Sequence, residues 1–219
     1  MDGMFEVLQM LVDNGSAPNV ELGYVTNGTK TPERLKDLWP HFKKITLNIS
    51  VEATGLLYRY IRGSHIQSIE NLERNLHWLD QFDNINGNFS VAVSTYNIFD
   101  LQNLADWQEH VTTNLTQWRT EIASRTSDSP YWYEKPNQFV DIVSKPQYLD
   151  PKNMPPHIKQ RVIDAYDKDY HVLEEIKNKM YDTNYDEKQW ELFKHFTREL
   201  DKIRGTDVLE YIPQLEGEF

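Results

Sequence analysis

An α/β fold with a parallel sheet, followed by a helical extension, is predicted by three observations. Short apolar strands alternate with amphipathic helices through about the first 150 residues, each strand running out into a polar segment. Such alternation argues for parallel strands joined by right-handed crossovers. After Pro155-Pro156 it gives way to charged, aromatic-rich helical sequence. The expected division is therefore 1–150 for the α/β part and 151–219 for the extension.

The first helix is expected over 4–12, where Met4, Phe5, Leu8, Leu11 and Val12 share one face and Asn14-Gly15 supplies a stop. Residues 20–26 read as a buried strand ending in the polar turn Asn27-Gly28-Thr29. Thr31 as N-cap, with Pro32 at the first helical position, opens a short helix that Pro40 stops. The next strand, 45–51, leaves through Ser50-Val51-Glu52-Ala53-Thr54-Gly55, and residues 58–64 connect it to the next helix. That helix has capping-box spacing at Ser64-His65-Ile66-Gln67 and a face of Ile66, Ile69, Leu72, Leu76 and Leu79. Residues 89–96 form a third strand with Thr95 and Asn97 at its exit. Asp100 then caps a long helix whose face runs from Leu101 through Leu104, Trp107, Val111, Leu115 and Trp118 to Ile122. A fourth strand falls between 131 and 144, centred on 139–143. In the tail, helices are expected over 157–181 and 186–204, with Gly205 as C-cap. Tail aromatics such as Tyr166, Tyr170, Tyr181, Trp190 and Phe193 recur at helical spacing and are expected to pack these two helices together.

Composition narrows the function classes. The 219 residues are 39% hydrophobic and 26% charged, with six Trp, twelve Tyr and nine Phe, which is the make-up of a globular protein and not of a disordered one. The net charge is −11, with Lys and Arg scattered. Nucleic acid and anionic membrane surfaces are therefore disfavoured as partners, since both need clustered positive charge. No apolar run approaches the roughly 20 residues of a spanning helix, and the N-terminus lacks a basic n-region and a cleavage site, so a cytoplasmic location is expected. Sequons at Asn27, Asn48, Asn88 and Asn114 then carry no glycosylation meaning. There is no cysteine, which removes disulfides, thiol nucleophiles and thiolate-held metal clusters. The seven His show no His-x-x-x-His pair, so no metal site is expected, and no phosphate-loop, Gly-x-Gly-x-x-Gly or nucleophile-elbow motif occurs.

In parallel α/β folds ligands bind at the carboxyl ends of the strands. The candidates are Thr26-Asn27-Gly28-Thr29, Ser50-Val51-Glu52 and Ser94-Thr95-Tyr96-Asn97, three exits forming one polar mouth. A Thr-Asn-Gly-Thr segment is also what a strand-to-helix turn prefers for backbone reasons. Glu52, just past a buried strand, must be paired, solvated or ligand-bound. Arg62 could hold a substrate carboxylate or pair with Glu52, and the residues alone leave both readings open.

Four segments in order carry a family resemblance: VTNGTK at a strand exit, ITLNISVEATG on the next strand, YRYIRGS after it, and a helix ending NLHWL. They resemble the middle of radical S-adenosylmethionine (SAM) enzymes, where a strand ending Thr-Asn-Gly is followed by Ser-x-Asp/Glu-x-x-Gly and Tyr-x-Arg-Gly-Ser/Thr. The later IVSKPQYLDPKNMPPHIK and ELDKIRGTDVLEYIPQLE are similar to the final strand and C-terminal extension of the twitch-domain subset.

The resemblance implies a partial parallel (β/α) barrel of about four strands, equivalent to strands three to six of the family's barrel. The family's Cys-x-x-x-Cys-x-x-Cys loop and Gly-Gly-Glu-Pro segment follow its first two strands, and neither is here. A [4Fe–4S] cluster therefore cannot be bound by this chain alone, and no residue is assigned a catalytic role. What remains is half of a SAM pocket. By similarity Ser50 and Glu52 would face the ribose and methionine portions, Asn27 would line the mouth, and Ser94 and Tyr96 would lie near ribose or adenine. Arg62 would approach the cofactor carboxylate, and the Val143 backbone would flank adenine. The implied function is the C-terminal portion of a radical SAM enzyme, whose cluster-bearing N-terminal part is either a separate chain or missing. Its first strand would leave an edge open to a cysteine-containing N-terminal partner or to a second copy of the chain. The alternative is a catalytically inactive binding or scaffold module with a remnant nucleoside-type pocket.

Overall fold

The computed structural model describes residues 2–30, 32–63, 68–115, 140–166 and 171–219. Helix α1 (Asp2–Asp13) precedes β1 (Glu21–Thr26), α2 (Glu33–Leu38), β2 (Lys44–Ser50), α3 (Gly55–Arg62), α4 (Ile69–Leu79), β3 (Ile85–Val93), α5 (Leu101–Thr113) and β4 (Val140–Ile142). The tail holds α6 (Pro156–Ala165), α7 (His171–Met180) and α8 (Glu187–Arg204). The strands are parallel and ordered β1-β2-β3-β4, so the sheet grows in one direction with no reversal of strand order. An α/β fold with an open parallel sheet is what the alternation predicted.

Register sorts the two faces of the sheet. Leu22, Tyr24 and Thr26 stand beside Ile45, Leu47 and Ile49, which in turn stand beside Ile85, Gly87 and Phe89. This face is apolar and continues through the buried Val91 and Val93 into the core shared with Leu35, Leu38, Leu72, Leu76, Leu79, Leu101 and Leu104 of α2, α4 and α5. The other face carries Thr46, Asn48 and Ser50 beside Asn86, Asn88 and Ser90. All six are half-buried, and Asn88 Nδ2 donates to Asn48 Oδ1 at 3.2 Å. Period-2 alternation thus separates a hydrocarbon face from an amide and hydroxyl face.

Several expectations need correction. The first strand is not buried: its residues alternate, Glu21, Gly23 and Val25 are exposed, and among the described residues it pairs with β2 alone. The third strand begins at Ile85 and not near Phe89, because pairing with β2 overrides the poor strand propensity of Asn86-Gly87-Asn88. Residues 55–62 are a helix, α3, burying Leu57, Tyr58 and Tyr60, where a connecting segment was expected. The helix expected over 157–181 is broken. Its first part ends at Ala165, Tyr166 is extended, and the buried Tyr166 hydroxyl donates to the Ile98 carbonyl. Ser64-His65-Ile66-Gln67, Trp118, Ile122, Tyr170 and the beginning of the fourth strand lie outside the described residues, as does Thr31.

Several tail aromatics pack onto residues nearer the sheet instead of packing two helices together. Phe193 of α8 lies 5.1 Å from Tyr96, and Phe196 stacks on Tyr148 at 4.7 Å, while Tyr181 and Tyr185 are exposed. The core is continuous across residue 150, with Ile158, Val162, Trp190 and Phe193 in the same cluster as the strands. Among the described residues no helix is long and apolar enough to cross a membrane.

Candidate functional site at the strand exits

Past Ser50 the ladder is prolonged by Val51, whose N–H donates to the Ser90 carbonyl, and Glu52 follows. Helix α3 starts at Gly55 and carries Arg62 in its last turn, where the guanidinium returns to the end of β2. Arg62 Nη2 donates to the Ser50 carbonyl at 2.8 Å and to Glu52 Oε1 at 2.7 Å, and lies 2.5 Å from Oε2. Of the two readings left open for Arg62, the pair with Glu52 is present. Both side chains are largely buried, 20% and 17% exposed. Burial pushes the Glu52 carboxyl above its ordinary range, against the opposing charge and hydrogen bond of Arg62. Among the described residues, Arg62 Nε and the hydroxyl of the fully buried Tyr58 have no hydrogen-bond partner.

Asn97 ties the next exit to this one. Its buried amide donates to the Glu52 carbonyl at 2.6 Å and the Ala92 carbonyl at 3.0 Å, and accepts from Ser94 N at 2.6 Å and Ser94 Oγ at 3.1 Å. Asp100, just before α5, accepts from the backbone and hydroxyl of Thr54, the residue preceding α3. Burial raises its carboxyl too. Ser50, Glu52, Arg62 and Ser94 are therefore one connected group. Asn97 and Asp100, which hold it, were visible only as an asparagine at a strand exit and a helix-capping aspartate.

The remaining candidates are placed differently. Asn27 is exposed at the exit of the edge strand, and its Oδ1 accepts from Thr29 N and Oγ1 as in an Asx turn. Tyr96 faces the extension: its hydroxyl shares a 2.8 Å hydrogen bond with Thr197 Oγ1, and its ring lies against Tyr60 and Phe193. The Val143 N–H donates to the Val93 carbonyl at 2.8 Å, prolonging the β3–β4 ladder. Helix α8 is held across α3 by Asp201, which accepts from the Tyr60 hydroxyl, Thr206 Oγ1 and Val208 N. Tyr211 stacks on Tyr60 at 4.6 Å.

Among the described residues no three His, Asp or Glu side chains gather as a metal site, and the chain has no cysteine. On the apolar face, separate from this group, a cavity of about 690 Å³ lies between α2 and α4 over β1. The chain matches no protein-family model, no curated protein and no solved structure.

Proposed function

We propose that this chain is the second half of a radical SAM-type (β/α) barrel, whose cluster-bearing strands come from a cysteine-containing partner pairing along β1. The observation that carries the reading is a parallel sheet with sequential strand order, an amide and hydroxyl face, and an edge strand, β1, whose outer side is unpaired among the described residues. Parallel sheets are normally covered on both faces, and a parallel sheet wound in a single direction has the connectivity of a (β/α) barrel. The resemblance in VTNGTK, ITLNISVEATG and YRYIRGS supports the same conclusion.

On this reading the Glu52–Arg62 pair is the amino-acid end of a cofactor half-site. A carboxylate beside a guanidinium is complementary to a zwitterion, whose carboxylate would take the Arg62 Nε–H, which has no partner among the described residues, and whose ammonium would face Glu52. Ser50 and Ser94 stand at the same exits. Bound SAM would supply an activated sulfonium; this chain's residues would bind and orient it. The iron–sulfur cluster does not fit this chain, which has no thiolate to hold it.

The test is native mass and iron content after anaerobic purification from the protein's own host. The expected outcome is a complex with a cysteine-containing chain and about four irons, as one cubane requires. An iron-free monomer would overturn the reading and favour the inactive binding module. A homodimer without iron would instead assign the β1 edge to a second copy.

A further inference from the structure

The cavity on the apolar face has a physical origin in element lengths. Helix α2 has only six residues and spans about 9 Å, whereas β1 spans about 20 Å, and the cavity is closed in addition by Met4 of α1 and by Trp39 in the turn after α2. The resulting space of about 690 Å³ has Tyr24 and Leu47 from the sheet, Trp39 after α2 and Leu79 of α4 in its lining. It is of the size that encloses small molecules, about 300–1,000 Å³. One wall is rigid: Gly28 is buried at φ +65, a Cβ there would meet Leu72 Cδ1 at 2.6 Å, and its carbonyl accepts from Asn75 Nδ2 at 2.7 Å.

The charge of the lining is opposite to that of the protein. The chain carries 34 acidic and 23 basic residues, yet Lys30 and Arg74 line the cavity and no carboxylate does. Among the described residues neither cation makes an ion pair; Arg74 acts on Glu70, one turn earlier on α4, only through space. Asn71 adds a neutral polar group at the same wall. We propose that this cavity binds a small molecule with an apolar body and a single anionic head, a carboxylate or a phosphate ester, its body against Trp39 and Leu47 and its head between Lys30 and Arg74. The site shares no residue with the Glu52–Arg62 group and does not depend on the function proposed above.

Isothermal titration with decanoate, decyl phosphate, decan-1-ol and decylammonium below their micellar concentrations tests this, with amide chemical shifts of Gly28 and Thr29 reporting location. Expected are one-to-one binding of one or both anions, shifts at those amides, and at least tenfold weaker binding in a Lys30→Gln/Arg74→Gln variant. Both side chains are exposed, so that variant retains the fold. Asn71→Trp, which fills the cavity from its polar wall, should abolish binding, and Glu52→Gln should leave it unchanged. Whether decanoate or decyl phosphate is preferred decides the head group. Equal affinity for decan-1-ol, undiminished binding in the double variant, or no binding of either anion would overturn the proposal.

Discussion

Glu52 shows how a single residue can be pulled in two directions. Its carboxylate has lost most of its water, which favours the protonated form, while Arg62 favours the charged form, and burial prevails. The sign of the pH dependence follows. With a folded-state pKa above the ordinary value of 4.5, the folded chain holds more proton than the unfolded chain between those two values. The Glu52 contribution to stability is therefore largest below 4.5 and falls as pH rises through the folded-state value. Urea unfolding of wild type and Glu52→Gln at pH 4, 5.5 and 7 should show the wild-type advantage shrinking, or its deficit growing, with pH. A wild-type advantage that grew with pH would show that Arg62 outweighs burial.

Between elements, the decisive contact is α8 on α3. Asp201 sits one turn from the end of α8 and accepts three hydrogen bonds, from Tyr60 on α3 and from Thr206 and Val208 in the following segment. Gly205 ends the helix at φ +67, the left-handed conformation that lets the chain turn back toward Asp201. Arg204 Nη1 adds a 2.5 Å hydrogen bond to the Tyr60 carbonyl. Asp201→Ala leaves these donors without their acceptor and should destabilise by about 1.5–3 kcal/mol, the range for hydrogen bonds to a charged group. Chemical denaturation measures it, and a loss below about 0.5 kcal/mol would mean that stacking of Tyr60 on Tyr211 holds the helix unaided.

For the whole molecule the open side of the sheet matters most. Val25 is 78% exposed on β1, and Val7 and Met10 are exposed on the preceding helix. An unpaired strand edge is a template for another strand, and natural edges are often blunted by lysine. Val25→Lys should change stability by less than about 0.5 kcal/mol because the side chain buries little. It should nevertheless release any partner bound along β1, which native mass spectrometry would register. Retention of that partner by the variant would place the interface elsewhere.

The sheet was legible in the sequence because its strands alternate with helices and carry Ile45, Leu47, Ile49, Val91 and Val93 at the spacing of one buried face. Ser50, Glu52, Arg62 and Ser94 were also legible, as polar residues at strand exits or just beyond them. Tertiary packing decided the rest. Strand pairing extended β3 through Asn86-Gly87-Asn88 against local propensity. Tyr166 ended α6 because its ring found a place in the core and its hydroxyl a carbonyl at Ile98. Tyr96 faces α8 because Thr197 and Phe193, a hundred residues away in the chain, lie next to it. The sequence by itself determined the class of fold and the end of the sheet where polar groups collect, since both follow from periodicity within short windows. Only the tertiary structure decided that Arg62 pairs with Glu52, that the C-terminal helices share one core with the strands, and that one sheet face is polar, with β1 paired on one side only among the described residues. Each of these rests on contacts between distant segments, which local periodicity does not encode.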